Sequence, residues 1–394
     1  MNGVSDIFDN KGHPLEKQVF SWRQISSRPI SKLDDDAFTR VRIILMNGIE
    51  QDALRLKHFG SRFHKELQLP LAQIRRVEQH QMTSINWLLS ADHSPLETTI
   101  AYEQVAIEVT AAVAQTEPDP YQAQTYRFGL LEDFDHLYRY AAMLDRLEGK
   151  DANNILQGYT DIVPGRPTSE HHRAPEDDLR ENYQKADAAL ITKMHAAMIT
   201  AAEHQTHDYY MNIGPTFTDP VARQLYAEIA SVEEQHVTQY GSLMDPSESF
   251  VEKWLIHEAM EVYAYASCAE QEENPRVKAM WEQFLDYELG QLTLAREWFK
   301  KLERRDPEEI LAGTVPQMIA FKSQREFVRK VLSEEKDLRT AGTRYVPKQR
   351  ENEASLRYRE QMNGDGVASA TVSAGYKWHP GTEQANSRPR GEQL

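Results

Sequence analysis

The chain has 394 residues and sets 45 Lys and Arg against 61 Asp and Glu, a formal net charge of −16 that argues against binding nucleic acid or anionic membranes, both of which need basic groups facing phosphate. One cysteine, Cys268, excludes an internal disulfide framework and every Cys-x-x-Cys metal or redox centre. The first residues hold no apolar signal-like run and no window approaches about eighteen uninterrupted apolar residues, so the expectation is a cytoplasmic protein.

In chain order, residues 1–37 mix Ser, Pro, Gly and charge without periodicity and read as an N-terminal arm. From 38 to 148 Ala, Leu, Glu, Gln, Met and Arg dominate, with no alternating Val, Ile and Thr run, which predicts helices and no sheet. A stretch rich in Gly, Pro and Asn over 149–189 breaks the pattern, and helical composition resumes over 190–303. At about 100–200 residues per domain the length favours two domains, with that stretch as the linker. Further helices are predicted over 304–339, and 340–394, rich in Gly, Ser and Pro, reads as a flexible tail. The expected fold class is all-α.

The helical regions repeat internally. Aligning on an Asp-Pro or Asn-Pro turn superposes, without a gap, three segments that begin at Asp119, Asp219 and Asn274. In each, an acid stands fourteen residues on (Asp133, Glu233, Glu288) and a nitrogen-bearing residue follows at +3 (His136, His236, Gln291). An aromatic precedes each acid by seven (Tyr126, Tyr226, Trp281), and thirty residues before the acids stand Glu103, Glu203 and Glu258. A weaker fourth copy lies upstream, with Glu78 and Gln81 in the acid and +3 positions and Glu50 as partner; its spacing is 28, and Pro70 falls inside its second helix. Four helical hairpins are therefore expected, closing as two four-helix bundles over 38–148 and 190–303.

Residues at i and i+3 share a helix face about 4.5 Å apart along the axis, so Glu233 and His236 can address one ion. Counting about 1.5 Å per residue from the turn puts Glu203 and Glu233 at similar depth, and Glu258 and Glu288 likewise. Hard carboxylate oxygens with an imidazole suit iron or manganese and, less specifically, zinc. Buried carboxylates without a cation would repel one another, so a metal is the simplest compensation.

On these residues the chain resembles the ferritin-like superfamily in its rubrerythrin-like branch of di-iron carboxylate proteins, apparently as a tandem duplication. That pattern places one Glu on each of two helices and Glu-x-x-His on each of the other two. The resemblance implies Glu203 and Glu258 as terminal ligands, Glu233 and Glu288 as bridging ligands and His236 as terminal imidazole, with Gln291 where the family has His. In the N-terminal bundle it implies the same roles for Glu50, Glu78, Glu103, Asp133 and His136, with Gln81 again replacing His. It further implies two iron ions per site, manganese or zinc being alternatives, and chemistry on O2 or peroxide with an electron donor; no rubredoxin domain can be present with one cysteine. Iron sequestration of ferroxidase type, and a metal-free helical scaffold with a decayed site, are the competing readings. Self-association into a homo-oligomer stays open. The regular spacing and His236 rank the second bundle as the tighter metal binder.

Other signals have plainer readings. Tyr126, Tyr226, Trp281, Tyr140 and Tyr240 suit core packing, with Tyr140 or Tyr240 as a hydrogen-bond donor to a ligand, or an electron relay, in the sharper reading. His207, four residues after Glu203, is a candidate substitute imidazole. Arg166, His171, His172 and Arg173, beside Glu176, Asp177 and Asp178, read as a salt-bridged loop, with anion binding as the alternative. Cys268 reads as inert packing.

Overall fold

The computed structural model describes residues 4–32, 34–312 and 317–379. Eight long helices account for most of it: α1 (Ala37–Gly60), α2 (Gln68–Asn86), α3 (Pro95–Thr116), α4 (Pro120–Glu148), α5 (Leu190–Ile213), α6 (Pro220–Gly241), α7 (Phe250–Gln271) and α8 (Pro275–Glu303). Consecutive helices pack as four antiparallel hairpins.

The turn residues act as the alignment requires. Asp119, Asp219 and Asn274 are N-caps whose side chains accept from backbone N–H groups of the first turn, and the following proline takes the N1 position, where no N–H is needed. Ser94 and Ser249 open the first helices of the second and fourth hairpins with reciprocal capping boxes to Glu97 and Glu252. Pro70 causes no break, because α2 starts at Gln68 and the proline lies in its first turn, whose amides have no intrahelical partner.

The first helices of the hairpins, α1, α3, α5 and α7, pack on one another in the middle, while α2, α4, α6 and α8 lie outside them. One apolar core runs through all four hairpins. The interior polar side chains then sort the hairpins in an order that sequence adjacency does not suggest. The acids set the second hairpin against the third, through α3 on α5 and α4 on α6, and the first against the fourth, through α1 on α7, while α1 also packs on α5.

A repeated contact marks both pairings. Glu117, two residues before the turn of the second hairpin, accepts from Thr192 at 2.7 Å and lies 2.8 Å from His195 Nδ1 on α5. Glu272, in the same place in the fourth hairpin, accepts from Thr39 at 2.7 Å and pairs with Arg42 at 2.8 Å on α1. Thr192 and His195 stand eleven and eight residues before Glu203; Thr39 and Arg42 stand eleven and eight before Glu50. The expectation that 38–148 and 190–303 would each enclose their own ligand set is therefore corrected: the sets form across the 149–189 connection.

The connection expected as an interdomain linker is largely buried. Arg166, His171, His172 and Arg173 are nearly inaccessible, and the backbone approaches α4 closely at Gly165, where an added Cβ would stand 2.5 Å from the Leu131 carbonyl. The C-terminal segment also departs from expectation. After a helix at Arg325–Glu335 (α9), β1 (Leu338–Ala341) and β2 (Arg344–Pro347) form an antiparallel hairpin turned at Gly342, φ +57°, and a helix follows at Glu353–Asn363 (α10). Tyr345 packs on Phe128 and donates to Thr125 at 2.7 Å, and Asp177 accepts from Gly342 N and Asn352 Nδ2, each at 2.6 Å. Residues 340–379 thus strap the connection, while 380–394 of the expected tail lie outside the described residues. The N-terminal arm docks as well: Gln18 Nε2 donates to the Tyr287 carbonyl at 2.8 Å.

Candidate metal centre

Two polar clusters occupy the interior, and both rest on the acid ladder of the sequence. The first lies between the second and third hairpins. α3 supplies Glu103, α4 supplies Asp133 and His136, α5 supplies Glu203, and α6 supplies Glu233 and His236, all of them buried. Asp133, Glu203, Glu233 and His236 each offer one ligand atom within 4.8 Å of the others, and Glu103, His136 and Glu233 form a second such group. Glu233 belongs to both. Its Oε1 lies 3.1 Å from His136 Nδ1 and its Oε2 lies 3.1 Å from His236 Nδ1, so one carboxylate spans two imidazoles.

The outward ring nitrogens fix what the inward ones present. His171 Nε2 lies 2.7 Å from the Arg166 carbonyl, an acceptor only, so that nitrogen carries the proton. His171 Nδ1 must then accept from His136 Nε2, 3.1 Å away, which turns His136 Nδ1 to face Glu233. His236 Nε2 lies 2.9 Å from Glu132, which Arg173 grips at 2.6 and 2.9 Å and Arg166 at 3.2 Å. Burial works to raise Glu132, but Arg173, His171, His236 and Arg166 hold it well below the usual carboxylate range. As a carboxylate it accepts a hydrogen bond from His236 Nε2–H and turns Nδ1 inward. Each imidazole is thus oriented by a second group, the arrangement that fixes tautomer and direction around metal-ligating histidines.

The charge balance inside is poor without a cation. Glu103 and Asp133 are pushed well up, first by burial and then by neighbouring carboxylates. Glu203 is raised to about 7 by burial, with Glu233 adding to the effect against His236. Burial also opposes ionisation of Glu233, yet the adjoining His136 and His236 bring it down to about 2. Both oxygens of Asp133, one each of Glu103 and Glu203, and His136 Nδ1 are buried without a hydrogen-bond partner. Buried acceptors and donors are otherwise satisfied in folded proteins, and this many converging orphans would suit a pair of divalent cations. Oxygen donors with one imidazole in each group suit iron or manganese.

The second cluster lies between the first and fourth hairpins. Glu50 comes from α1, Glu78 and Gln81 from α2, Glu258 from α7, and Glu288 and Gln291 from α8, all fully buried. Gln81 Nε2 donates to Glu288 at 2.6 Å, and Gln291 Nε2 donates to Glu288 at 3.0 Å. Two residues that the sequence reading passed over complete it. Lys57 pairs with Glu78, lies 2.8 Å from Glu258 and 3.7 Å from Glu261, and Glu261 lies 3.2 Å from His257 Nδ1. Glu258 and Glu288 therefore do not join Glu203, Glu233 and His236 as expected, and the ranking of a 190–303 ligand set over a 38–148 set dissolves with that grouping.

Other sequence-level expectations are also revised. Tyr210 donates to Glu103 and Tyr265 to Glu50, whereas the hydroxyls of Tyr140 and Tyr240 have no hydrogen-bond partner. Both tyrosines at ligand contact stand seven residues after an inner glutamate, at Glu203 and Glu258, and that spacing was the available signal. His207 lies outside both clusters, beside Asp208 at 3.4 Å. The segment expected as a salt-bridged loop does hold an ion pair, Arg173 with Asp178 at 2.9 Å, and Arg166, His171 and Arg173 also support the first cluster together with Glu132. Cys268 is buried, its thiol pushed up by burial, as inert packing requires. No helix among the described residues is long and apolar enough to cross a membrane.

No family model matches the chain, and neither the curated proteins nor the solved structures yield a match.

Proposed function

We propose that this chain is a ferritin-like protein of four hairpins arranged as two four-helix bundles, and that the bundle of the second and third hairpins holds a carboxylate-bridged dimetal centre, with iron the metal its donors suit best. The observation that carries this reading is Glu233, whose two oxygens face two imidazoles, each backed by its own hydrogen-bond partner. Asp133, Glu203 and His236 would hold one ion, Glu103 and His136 the other, and Glu233 both.

A bound di-iron pair would supply electrons to O2 or peroxide, an oxidoreductase activity that also needs an electron donor. The protein's own groups set the surroundings. Glu132, clamped by Arg166 and Arg173, keeps the His236 proton on Nε2, and His171 does the same for His136. Tyr210 holds one oxygen of Glu103 and leaves the other to turn inward. The surrounding apolar core excludes water from the cluster. The net charge of −16 supports a protein that binds neither nucleic acid nor anionic membrane.

Elemental analysis of protein purified without chelator tests the reading. Two iron ions per chain support a catalytic centre, many per chain would turn it to storage, and none after reconstitution with ferrous ion under anaerobic conditions would reject it in favour of a metal-free scaffold.

A further inference from the structure

The two clusters occupy equivalent places in a repeated layout, so residues at matching positions can be compared directly. Glu103 matches Glu50, Asp133 matches Glu78, Glu203 matches Glu258 and Glu233 matches Glu288. At +3 the histidines His136 and His236 match Gln81 and Gln291. Seven residues past the inner glutamates, Tyr210 matches Tyr265, and each donates across the hairpin pair to a glutamate, Glu103 in one case and Glu50 in the other. The remaining +7 positions are Thr110 in the first cluster and Lys57 in the second. Three residues past the inner glutamate the difference is Thr206 against Glu261.

Thr110 is short and leaves the first cluster's interior to its carboxylates. Lys57 does the opposite. Glu78, Glu258 and Glu261 put ligand atoms within 4.8 Å of one another, the spacing of a cation site, and the ammonium that contacts all three is tethered to α1. It reaches across to Glu258, as Tyr265 reaches back to Glu50. The two imidazoles that would favour a transition metal are replaced by amides already committed to Glu288. Even so, one oxygen each of Glu50, Glu78, Glu258 and Glu288, and Gln291 Oε1, are buried without a hydrogen-bond partner and stay within this cluster. The carboxylate cage of a metal site is therefore intact around a cation that the chain itself provides.

We infer that the second cluster is a latent divalent-cation site in which Lys57 Nζ stands permanently where an ion would bind, so that the first and fourth hairpins close without metal and removal of the Lys57–Glu261 pair opens the site. This goes beyond the dimetal reading of the first cluster and is tested apart from it. In full-length Glu233→Ala/His236→Ala protein, with the first cluster disabled, cobalt(II) alone is the probe, read by elemental stoichiometry and by the visible absorption of bound cobalt. With Lys57 present, the second cluster takes up no cobalt. Adding Lys57→Thr and Glu261→Thr, the residues found in the first cluster, yields at least one further cobalt per chain, and Glu288→Ala then removes it. Lys57→Gln, which removes the charge but keeps a long polar side chain, is read in the same way, and circular dichroism confirms the helical fold of each variant. Cobalt uptake that Glu288→Ala abolishes while Lys57 is in place overturns the inference, and this arm requires no change at Lys57. A folded Lys57→Thr/Glu261→Thr protein that takes up none overturns it equally.

Discussion

The two polar interiors share a helix layout, an acid ladder and a tyrosine that reaches across, yet one converges empty acceptors on a bridging glutamate and the other closes on an ammonium. What separates them is a few side chains: imidazole against amide at +3, Thr110 against Lys57 at +7, Thr206 against Glu261. Buried carboxylates must be offset by some cation or by protons, and in the second cluster Lys57 is that cation. Burial, then Glu261 and other carboxylates, pushes Glu50 and Glu288 well up, so those groups are held as acids beside the Lys57 pair.

The comparison breaks most decisively at the bridging positions. Glu233→Ala should empty the first cluster of both ions, since the shared ligand goes, while Glu288→Ala leaves the metal content of the wild-type background unchanged; plasma mass spectrometry of the two proteins decides it. Next in size is the loss of the tethered cation. Lys57→Met should destabilise the protein by about 3–5 kcal/mol in chelator-containing buffer, the usual cost of breaking a buried ion pair from one side, as read by urea unfolding. A cost near zero would mean that protons alone neutralise the cage.

A smaller effect is expected behind the histidines. Glu132→Ala frees the His236 ring and leaves Arg173 and Arg166 without their shared carboxylate, and metal affinity should drop about 10–100-fold in a chelator competition. The smallest change comes from pH. Burial, reinforced by Glu233, raises Glu203 to about 7, so below that pH an ion must displace its proton, and apparent affinity should fall about tenfold per pH unit for each proton released. Calorimetry in buffers of different ionisation heat counts those protons; affinity that rises as pH falls contradicts the assignment.

Much of this was readable in the sequence because it depends on local chemistry. Asp119, Asp219 and Asn274 announce helix starts through capping and Pro at N1, and the acids ride a fixed distance behind them. Hairpin pairing was not readable, because it is a long-range choice: Glu117 selecting Thr192 and His195, and Glu272 selecting Thr39 and Arg42, are visible only once the partners are aligned. Neighbouring hairpins are the ordinary default, and here it misleads. Lys57 on a helix end looks like a solvated charge until its heptad spacing from Glu50 is set beside Tyr210 and Tyr265. The β1–β2 hairpin was missed because its strands are four residues each and only one, with Arg339, Thr340 and Ala341, is buried.

The pairing order is nested: the second and third hairpins meet inside a span whose ends, the first and fourth, meet each other. A ribosome reads such a chain from the outside in and then out again. Some 164 residues separate the end of α2 at Asn86 from the start of α7 at Phe250, which at about 5–20 residues per second is about 8–33 seconds of synthesis. During that interval the first hairpin has α1 and α2 made but no fourth hairpin to cover Glu50, Glu78 and Gln81. Lys57 is already present on the same hairpin to pair with Glu78, so the waiting half carries its own counter-charge before its partner arrives.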